Sequence, residues 1–324
     1  DSLESTEDSC QVKSPGLVRS AWLWLPRWLR FLFLLAFSVV FLIVAIAGAG
    51  WWYMNPSVVR TDGIVYGERN GEPLALDVIR PSNPNGLGVA FMVSGGWKSQ
   101  KSGDAKAWLM APLLRRGYTV FAIYHISQPK ATVMEIIADV NRGIRFIRHH
   151  AEDYEIDPDR IGVTGGSAGG HLSLMLATRG GPGPEGEGDL VDQESSAVQA
   201  VAIFYPVTDL LNLGDSTENL GDGGPPKSFV KAFGPNATNM DAWKGIGRDC
   251  SPLYHLTSEM PPTLIYHGDA DTLGPLDQSE RFRDKAIEQK LNVELVVHPG
   301  GGHGWPTMAW DLIKFGNWFD EHLR

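Results

Sequence analysis

From about residue 60 onward, short apolar runs alternate with longer segments in which apolar residues recur every three or four positions. The short runs are typical of buried strands, and the longer segments are typical of helices that pack one face against a sheet. Strands that alternate with amphipathic helices predict an α/β fold, a mostly parallel sheet with helices on both faces.

The pattern places strands at 63–66, 74–80, 89–93, 118–124, 161–164, 198–205, 263–267 and 293–298, the first two antiparallel. It places helices at 105–116, 132–151, 171–178, 279–289 and 308–322. Glycine and proline are concentrated in loops at 180–196 and 212–251. Ligands bind such sheets at the carboxyl ends of the strands, so we expect the second loop to roof the site.

A different pattern precedes this region, because residues 31–52 contain nothing more polar than Ser38. A helix of this length measures about 33 Å and would cross a bilayer. Aromatic residues flank the run as in interfacial belts: Trp22, Trp24, Trp28, Trp51, Trp52 and Tyr53. The basic residues are mostly upstream: Lys13, Arg19, Arg27 and Arg30, against Arg60 and Arg69 downstream. This asymmetry predicts a cytoplasmic N-terminus.

We therefore expect a cytoplasmic segment at 1–30, a transmembrane anchor at 31–53 and an exported catalytic domain at 60–324. A cleaved signal peptide would also fit the apolar run, with Ala45, Ala47 and Ala49 near the cleavage site. The domain would then be secreted or periplasmic. The run is long for a signal peptide, which favours the anchor.

Charge and cysteine content narrow the classes of partner. The formal net charge is −10, and no basic face is visible that would neutralise phosphates, which argues against nucleic acid. The two cysteines, Cys10 and Cys250, lack metal-ligand spacing and fall on opposite sides of the predicted anchor. We expect no structural disulfide, no metal and no organic cofactor.

The strand predicted at 161–164 leads into Gly165-Gly166-Ser167-Ala168-Gly169. In a strand-to-helix turn, Gly-x-Ser-x-Gly puts the serine on a strained bend with its hydroxyl exposed. A Cβ atom at Gly165 or Gly169 would crowd that turn. A serine hydroxyl becomes a good nucleophile only when a base takes its proton and a carboxylate orients the base. Ser167 is therefore the predicted nucleophile.

The base and the acid are predicted from later strand ends. Asp269 and Asp271 follow one strand, and His303 follows the next. The order Ser, Asp, His is that of an α/β-hydrolase, and all three positions fall at the carboxyl edge of the sheet. Asp269 and Asp271 are both candidates for the acid, and Asp209 is a minor one.

The tetrahedral intermediate also needs hydrogen-bond donors for its oxyanion. The backbone N–H groups of Gly95 and Gly96, after the strand at 89–93, are predicted donors, together with that of Ala168. His171 lies one turn into the helix after Ser167 and is expected to be a packed residue.

In combination, these motifs resemble the α/β-hydrolase esterases related to feruloyl, acetylxylan and hormone-sensitive-lipase-like carboxylesterases. The resemblance covers roughly residues 60–324 and extends to the catalytic domain of prolyl oligopeptidases. It is carried by Gly95-Gly96-Trp97, Ile156-Asp157-Pro158-Asp159-Arg160-Ile161-Gly162, Gly165-Gly166-Ser167-Ala168-Gly169-Gly170-His171, His267-Gly268-Asp269-Ala270-Asp271 and His303-Gly304. It implies Ser167 as nucleophile, His303 as base and Asp271 as acid.

The chain departs from this family pattern at several places. The usual His-Gly-Gly-Gly-Trp reads Val93-Ser94-Gly95-Gly96-Trp97, and a frequent Tyr-Arg reads Tyr124-His125. Gly274 stands where an apolar residue is usual. The missing histidine usually supports the oxyanion loop without taking part in the chemistry. Activity is therefore expected, and loop geometry and substrate range are left open.

The prediction is a membrane-anchored, exported serine hydrolase that cleaves a small-molecule or polysaccharide-linked carboxylic ester through an acyl-enzyme on Ser167. One alternative is a prolyl-oligopeptidase-type peptidase, disfavoured because we expect no propeller-sized domain ahead of residue 60. The other is a hydrolase-fold binding protein, disfavoured by the intact set of catalytic residue types. The acyl group, the alcohol and the oligomeric state are left open.

Overall fold

The computed structural model describes residues 25–184, 186 and 188–324. The chain divides into two units between Tyr53 and Met54. The first contains all but the last residue of helix α1 (Arg27–Met54), which has no buried residue. By length and composition α1 could cross a membrane, and a signal sequence would have the same features. Several residues named above lie outside the described residues: Cys10, Lys13, Arg19, Trp22 and Trp24.

In the described part of the second unit, eight strands form one sheet in the order β1-β2-β4-β3-β5-β6-β7-β8. The strands are β1 (Val58–Arg69), β2 (Glu72–Pro81), β3 (Gly88–Met92), β4 (Thr119–Ile123), β5 (Ile161–Gly166), β6 (Ala200–Phe204), β7 (Thr263–Gly268) and β8 (Val293–His298). Strand β2 is antiparallel to both of its neighbours, and the remaining pairs are parallel. The predicted, mostly parallel sheet is confirmed.

Helices cover both faces of this sheet. They are α2 (Ala111–Arg115), α3 (Val133–His149), α4 (Ala168–Arg179), α5 (Leu190–Gln193), α6 (Met240–Asp249), α7 (Asp277–Glu288) and α8 (Met308–Leu323). One apolar core joins the sheet to α3 and α4, and another joins it to α2 and α8. This layered arrangement is that of an α/β-hydrolase.

Helix α3 shows how the sequence specifies one of these layers. Thr132 caps it: the hydroxyl of Thr132 accepts from the backbone N–H of Glu135, whose carboxylate accepts from the N–H of Thr132. Ile136, Val140 and Ile144 recur at helical spacing and are fully buried against the sheet. The predicted helix at 132–151 is confirmed.

The helix predicted at 105–116 is wrong as a single element. The segment forms a 3-10 helix, Ala107–Met110, followed by the short α2. Pro112 lacks the N–H that would bond to the carbonyl of Trp108 in a continuous α-helix, and it lies instead in the first turn of a new helix, where no such bond is needed. The glycine-rich loops also contain helices, α5 in the first and α6 in the second.

Candidate active site

Ser167 lies on the turn between β5 and α4, with φ 55° and ψ −121°. The glycines on either side of Ser167 are required because other backbone atoms lie too close to leave room for a side chain. A Cβ atom at Gly165 would lie 2.5 Å from the carbonyl carbon of Gly169, and one at Gly169 would lie 2.6 Å from the oxygen of Met92. The predicted strained turn is confirmed in its geometry.

Three side chains from distant parts of the chain form one line of hydrogen bonds. Nε2 of His303 is 2.9 Å from Oγ of Ser167, and Nδ1 of His303 is 2.7 Å from Oδ2 of Asp271. A carboxylate only accepts, so Nδ1 carries the proton and Nε2 is free to accept the serine proton. The structure thus brings together the three residues predicted as nucleophile, base and acid.

Asp271 is buried and fully supplied with donors. Its Oδ1 accepts from the backbone N–H groups of Leu273 and Gly274, at 2.9 and 3.0 Å. Burial alone would raise the pKa of Asp271. The bond from His303, the nearby ring of His267 and the N–H of Gly274 outweigh burial and hold the pKa well below its usual range. Asp271 is therefore ionised throughout the neutral pH range.

His267 is a neighbour of this carboxylate that the sequence analysis did not single out. It is fully buried, and its Nε2 donates to the carbonyl of Gly274 at 2.7 Å, while Nδ1 accepts from Ser279. Nε2 also lies 3.5 Å from Oδ2 of Asp271. The sequence could have indicated this neighbour, because His267 is the first residue of the motif His267-Gly268-Asp269-Ala270-Asp271.

The two alternative acids have other partners. Asp269 is exposed and accepts from the backbone N–H of Gly300 at 2.6 Å, which closes a loop. Asp209 is buried beside Arg281 and accepts from the hydroxyl of Tyr254. The geometry therefore favours Asp271 as the partner of His303.

The oxyanion loop changes the expected set of donors. The N–H of Gly95 donates to the carbonyl of Lys98 at 3.0 Å and is engaged within the loop. Gly96 and Ala168, in contrast, line the same cavity as Ser167 and His303. Gly95 is therefore engaged within the loop, whereas Gly96 and Ala168, the other two predicted donors, lie at the cavity beside Ser167.

The indole of Trp97 anchors the far end of this loop. Its Nε1 donates to Nδ1 of His171 at 3.1 Å, and Nε2 of His171 donates to the carbonyl of Cys250 at 2.7 Å. Burial lowers the pKa of His171 to about 4, so the imidazole is neutral and packed, as expected.

The cavity beside Ser167 has a volume of about 70 Å³. Its lining is mostly apolar and includes five residues of the loop at 212–251: Leu213, Ser216, Glu218, Pro226 and Phe229. The expectation that this loop roofs the site is confirmed. Among the described residues, no group of three or more His, Cys, Asp or Glu is placed to hold a metal ion.

Residues 76–286, well over half of the chain, match the model of the BD-FAE family. The chain belongs to the BD-FAE family. This BD-FAE chain is 34% identical over 232 residues to the probable carboxylic ester hydrolase LipM of Mycobacterium tuberculosis, a match that covers 68% of the chain and 50% of LipM. It is 31% identical over 227 residues to esterase LipQ of the same organism, covering 69% and 52%.

Among solved structures, a truncated form of a carbohydrate esterase from gut microbiota matches with a TM-score of 0.64 and 24% identity, covering 82% of this chain and 96% of that one. That likeness supports the fold. The BD-FAE chain spans about half the length of the curated relatives LipM and LipQ.

Proposed function

We propose that this chain is a carboxylic ester hydrolase whose catalytic triad is Ser167, His303 and Asp271. The observation that carries the proposal is the unbroken line of hydrogen bonds from Asp271 through His303 to Ser167, at 2.7 and 2.9 Å. LipM and LipQ, both named as ester hydrolases, support the same reaction class.

Acylation follows from the protonation states in the site. His303 Nε2 takes the proton of Ser167 as Oγ attacks the ester carbonyl, and Asp271 stabilises the imidazolium that forms. The N–H groups of Gly96 and Ala168, with the positive amino end of α4, stabilise the tetrahedral oxyanion. The imidazolium then gives its proton to the departing alcohol, which leaves an acyl-enzyme on Ser167.

Deacylation repeats these steps with water as the nucleophile. His303 takes a proton from water as the water oxygen attacks the acyl carbon, and the same N–H groups hold the second oxyanion. Collapse of this intermediate returns the proton to Ser167 Oγ. The carboxylic acid leaves and the enzyme is restored.

We propose that the group bound beside Ser167 is short. The cavity beside Ser167 measures only about 70 Å³. Val207, Leu210 and Phe229 make most of its wall apolar. An acetyl to butyryl group fits this space better than a long acyl chain.

We also propose that α1 anchors the enzyme and that the catalytic domain acts outside the cytoplasm. Arg27 and Arg30 at the start of α1, with the basic residues upstream, support this orientation. The test is protease protection of the full chain in sealed cells or spheroplasts. Cleavage of the catalytic domain by external protease supports the orientation, and protection until lysis would contradict it.

The activity is tested with the full chain in detergent, using p-nitrophenyl esters from acetate to decanoate beside a proline p-nitroanilide. We expect turnover of the short esters that disappears in Ser167→Ala. Turnover of the anilide alone would indicate a peptidase. A folded protein with no Ser167-dependent turnover of either substrate would contradict the proposal and favour a binding protein.

A further inference from the structure

Two positions at which the chain departs from the esterase pattern, Ser94 and His125, are in direct contact. Nε2 of His125 lies 2.9 Å from Oγ of Ser94. The sheet explains the contact: Met92 and Ile123 are paired at the ends of the neighbouring parallel strands β3 and β4, and each of the two residues lies two positions beyond its strand. The strand register thus places the two departures side by side.

The direction of this hydrogen bond is fixed by its surroundings. Nδ1 of His125 is 3.0 Å from the carbonyl of Ile126, which can only accept, so Nδ1 carries the proton. Nε2 is then the acceptor, and the hydroxyl of Ser94 is the donor. Burial lowers the pKa of His125 to about 4, so the ring is neutral and able to accept at neutral pH.

Ser94 also connects the loop to the nucleophile helix. Its carbonyl accepts from the N–H of Gly169 at 3.2 Å, two residues after Ser167. One residue thus joins β4, through His125, to the first turn of α4. The two glycines that shape the oxyanion loop, Gly95 and Gly96, follow directly in the chain.

On its other side, this loop borders open space. Val93, Ser94 and Gly95 line a cavity of about 1020 Å³ between the 3-10 helix at Ala107–Met110 and the start of α8. A loop that borders such a cavity receives less packing support on that side, so its position depends more on polar contacts. The bond between Ser94 and His125 is one of these contacts.

We propose that Ser94 and His125 form a positioning pair that holds the oxyanion loop so that the N–H of Gly96 faces the reacting carbonyl oxygen. The pair does for this chain what the first histidine of His-Gly-Gly-Gly does in the family pattern. Neither residue touches the reacting atoms, and no bond to either is made or broken. The proposal rests on the proposed esterase function.

The test is a double-mutant cycle on the full chain, with p-nitrophenyl acetate as substrate. We expect Ser94→Ala and His125→Phe each to lower kcat roughly ten- to a hundredfold, less than the loss of a whole oxyanion donor, with KM changed by less than about twofold. The double variant is expected to be no slower than the slower single variant, because both changes remove the same bond. Ser94→Thr keeps the hydroxyl and is expected to retain most of the wild-type kcat.

A matched control separates positioning from general stability. Thr178→Val removes another buried hydroxyl, whose bond to the carbonyl of Leu174 lies at the far end of α4. It is expected to lower the melting temperature and leave kcat unchanged. If Ser94→Ala and His125→Phe behave in the same way, or if their effects on kcat multiply in the double variant, the positioning pair is refuted.

A second readout does not depend on turnover. Nitrogen NMR of the full chain with labelled histidine, assigned by the signal that His125→Phe removes, should show His125 protonated at Nδ1 and accepting at Nε2. Ser94→Ala should shift the Nε2 signal. A protonated Nε2 would overturn the pair even in an active esterase. Absence of Ser167-dependent turnover in the wild type, with Nε2 still accepting, would instead overturn the proposed function and with it the catalytic purpose of the pair.

Discussion

The loops on the two sides of Ser167 are held in different ways. On the side of β7 and β8, side chains bond directly to one another, from the donors around Asp271 to His303 and on to Ser167. On the side of β3 and β4, the proposed oxyanion donors are backbone N–H groups, and the side-chain bonds of Ser94, His125 and Trp97 hold the loop that contains one of them. In the proposed mechanism, the loops after β7 and β8 provide the groups that transfer protons, and the loops after β3 and β4 hold an oxyanion donor in position.

The largest effects should come from the first region. We expect Ser167→Ala and His303→Ala each to lower kcat by about 10⁴-fold or more, since either change removes the attacking group or its base. Steady-state hydrolysis of p-nitrophenyl acetate measures this loss. A residual rate within tenfold of wild type in either folded variant would be incompatible with the triad.

The choice between the two neighbouring carboxylates gives a matched pair. Asp271→Asn should lower kcat about 10³- to 10⁴-fold, because a neutral amide cannot stabilise the imidazolium of His303. Asp269→Asn removes an exposed charge but keeps an oxygen that can accept from Gly300, and it should change kcat less than about twofold. The same assay decides between them, and a reversed order would make Asp269 the acid.

The two glycines of the oxyanion loop, Gly95 and Gly96, should respond differently to an added side chain. A Cβ atom at Gly96, where φ is +55°, would lie 2.8 Å from the ring of Phe229, so Gly96→Ala should displace the loop and lower kcat roughly 10²-fold. At Gly95 an added Cβ meets nothing within 4 Å, and Gly95→Ala should be nearly as fast as wild type. Equal losses in the two variants would argue against Gly96 as the donor that faces the carbonyl.

These predictions differ in how far the sequence alone supports them. Ser167 and His303 were predictable because each follows a strand at the carboxyl edge and has a side chain suited to one role. Strand position left Asp269 and Asp271 open, and the choice of Asp271 came from the family resemblance. The engagement of the Gly95 N–H by Lys98 was not predictable, since it depends on how four residues fold back on themselves. Residue type and order do not encode that path.

The fold, like the site, has features that the sequence predicts and features that it does not. The alternation of apolar runs and helical repeats was enough to predict the sheet and its two helical layers. The contact between Ser94 and His125 required the register of β3 against β4, which sequence periodicity does not give. The segment at 105–116 was misassigned because its apolar residues suit one helix, whereas Pro112 cannot donate to the carbonyl of Trp108 and lies at the start of a second helix.

The smallest expected effect concerns acyl length. Leu213→Ala should enlarge the cavity beside Ser167 and raise the ratio of kcat/KM for hexanoate over acetate by roughly tenfold. Leu220, in the same loop but 64% exposed, provides the control, and Leu220→Ala should leave the ratio unchanged. A ratio that moves equally in both variants would mean that the cavity does not bind the acyl group.

In the proposed reaction, the ester's acyl group is transferred to Ser167. This transfer can be trapped by acid quenching of the full chain during turnover of p-nitrophenyl acetate, followed by mass analysis of its peptides. We expect one acetyl group on the peptide that contains Ser167, and none in Ser167→Ala. An acetyl group on another residue that persists in Ser167→Ala, or turnover that continues in that variant, would contradict it.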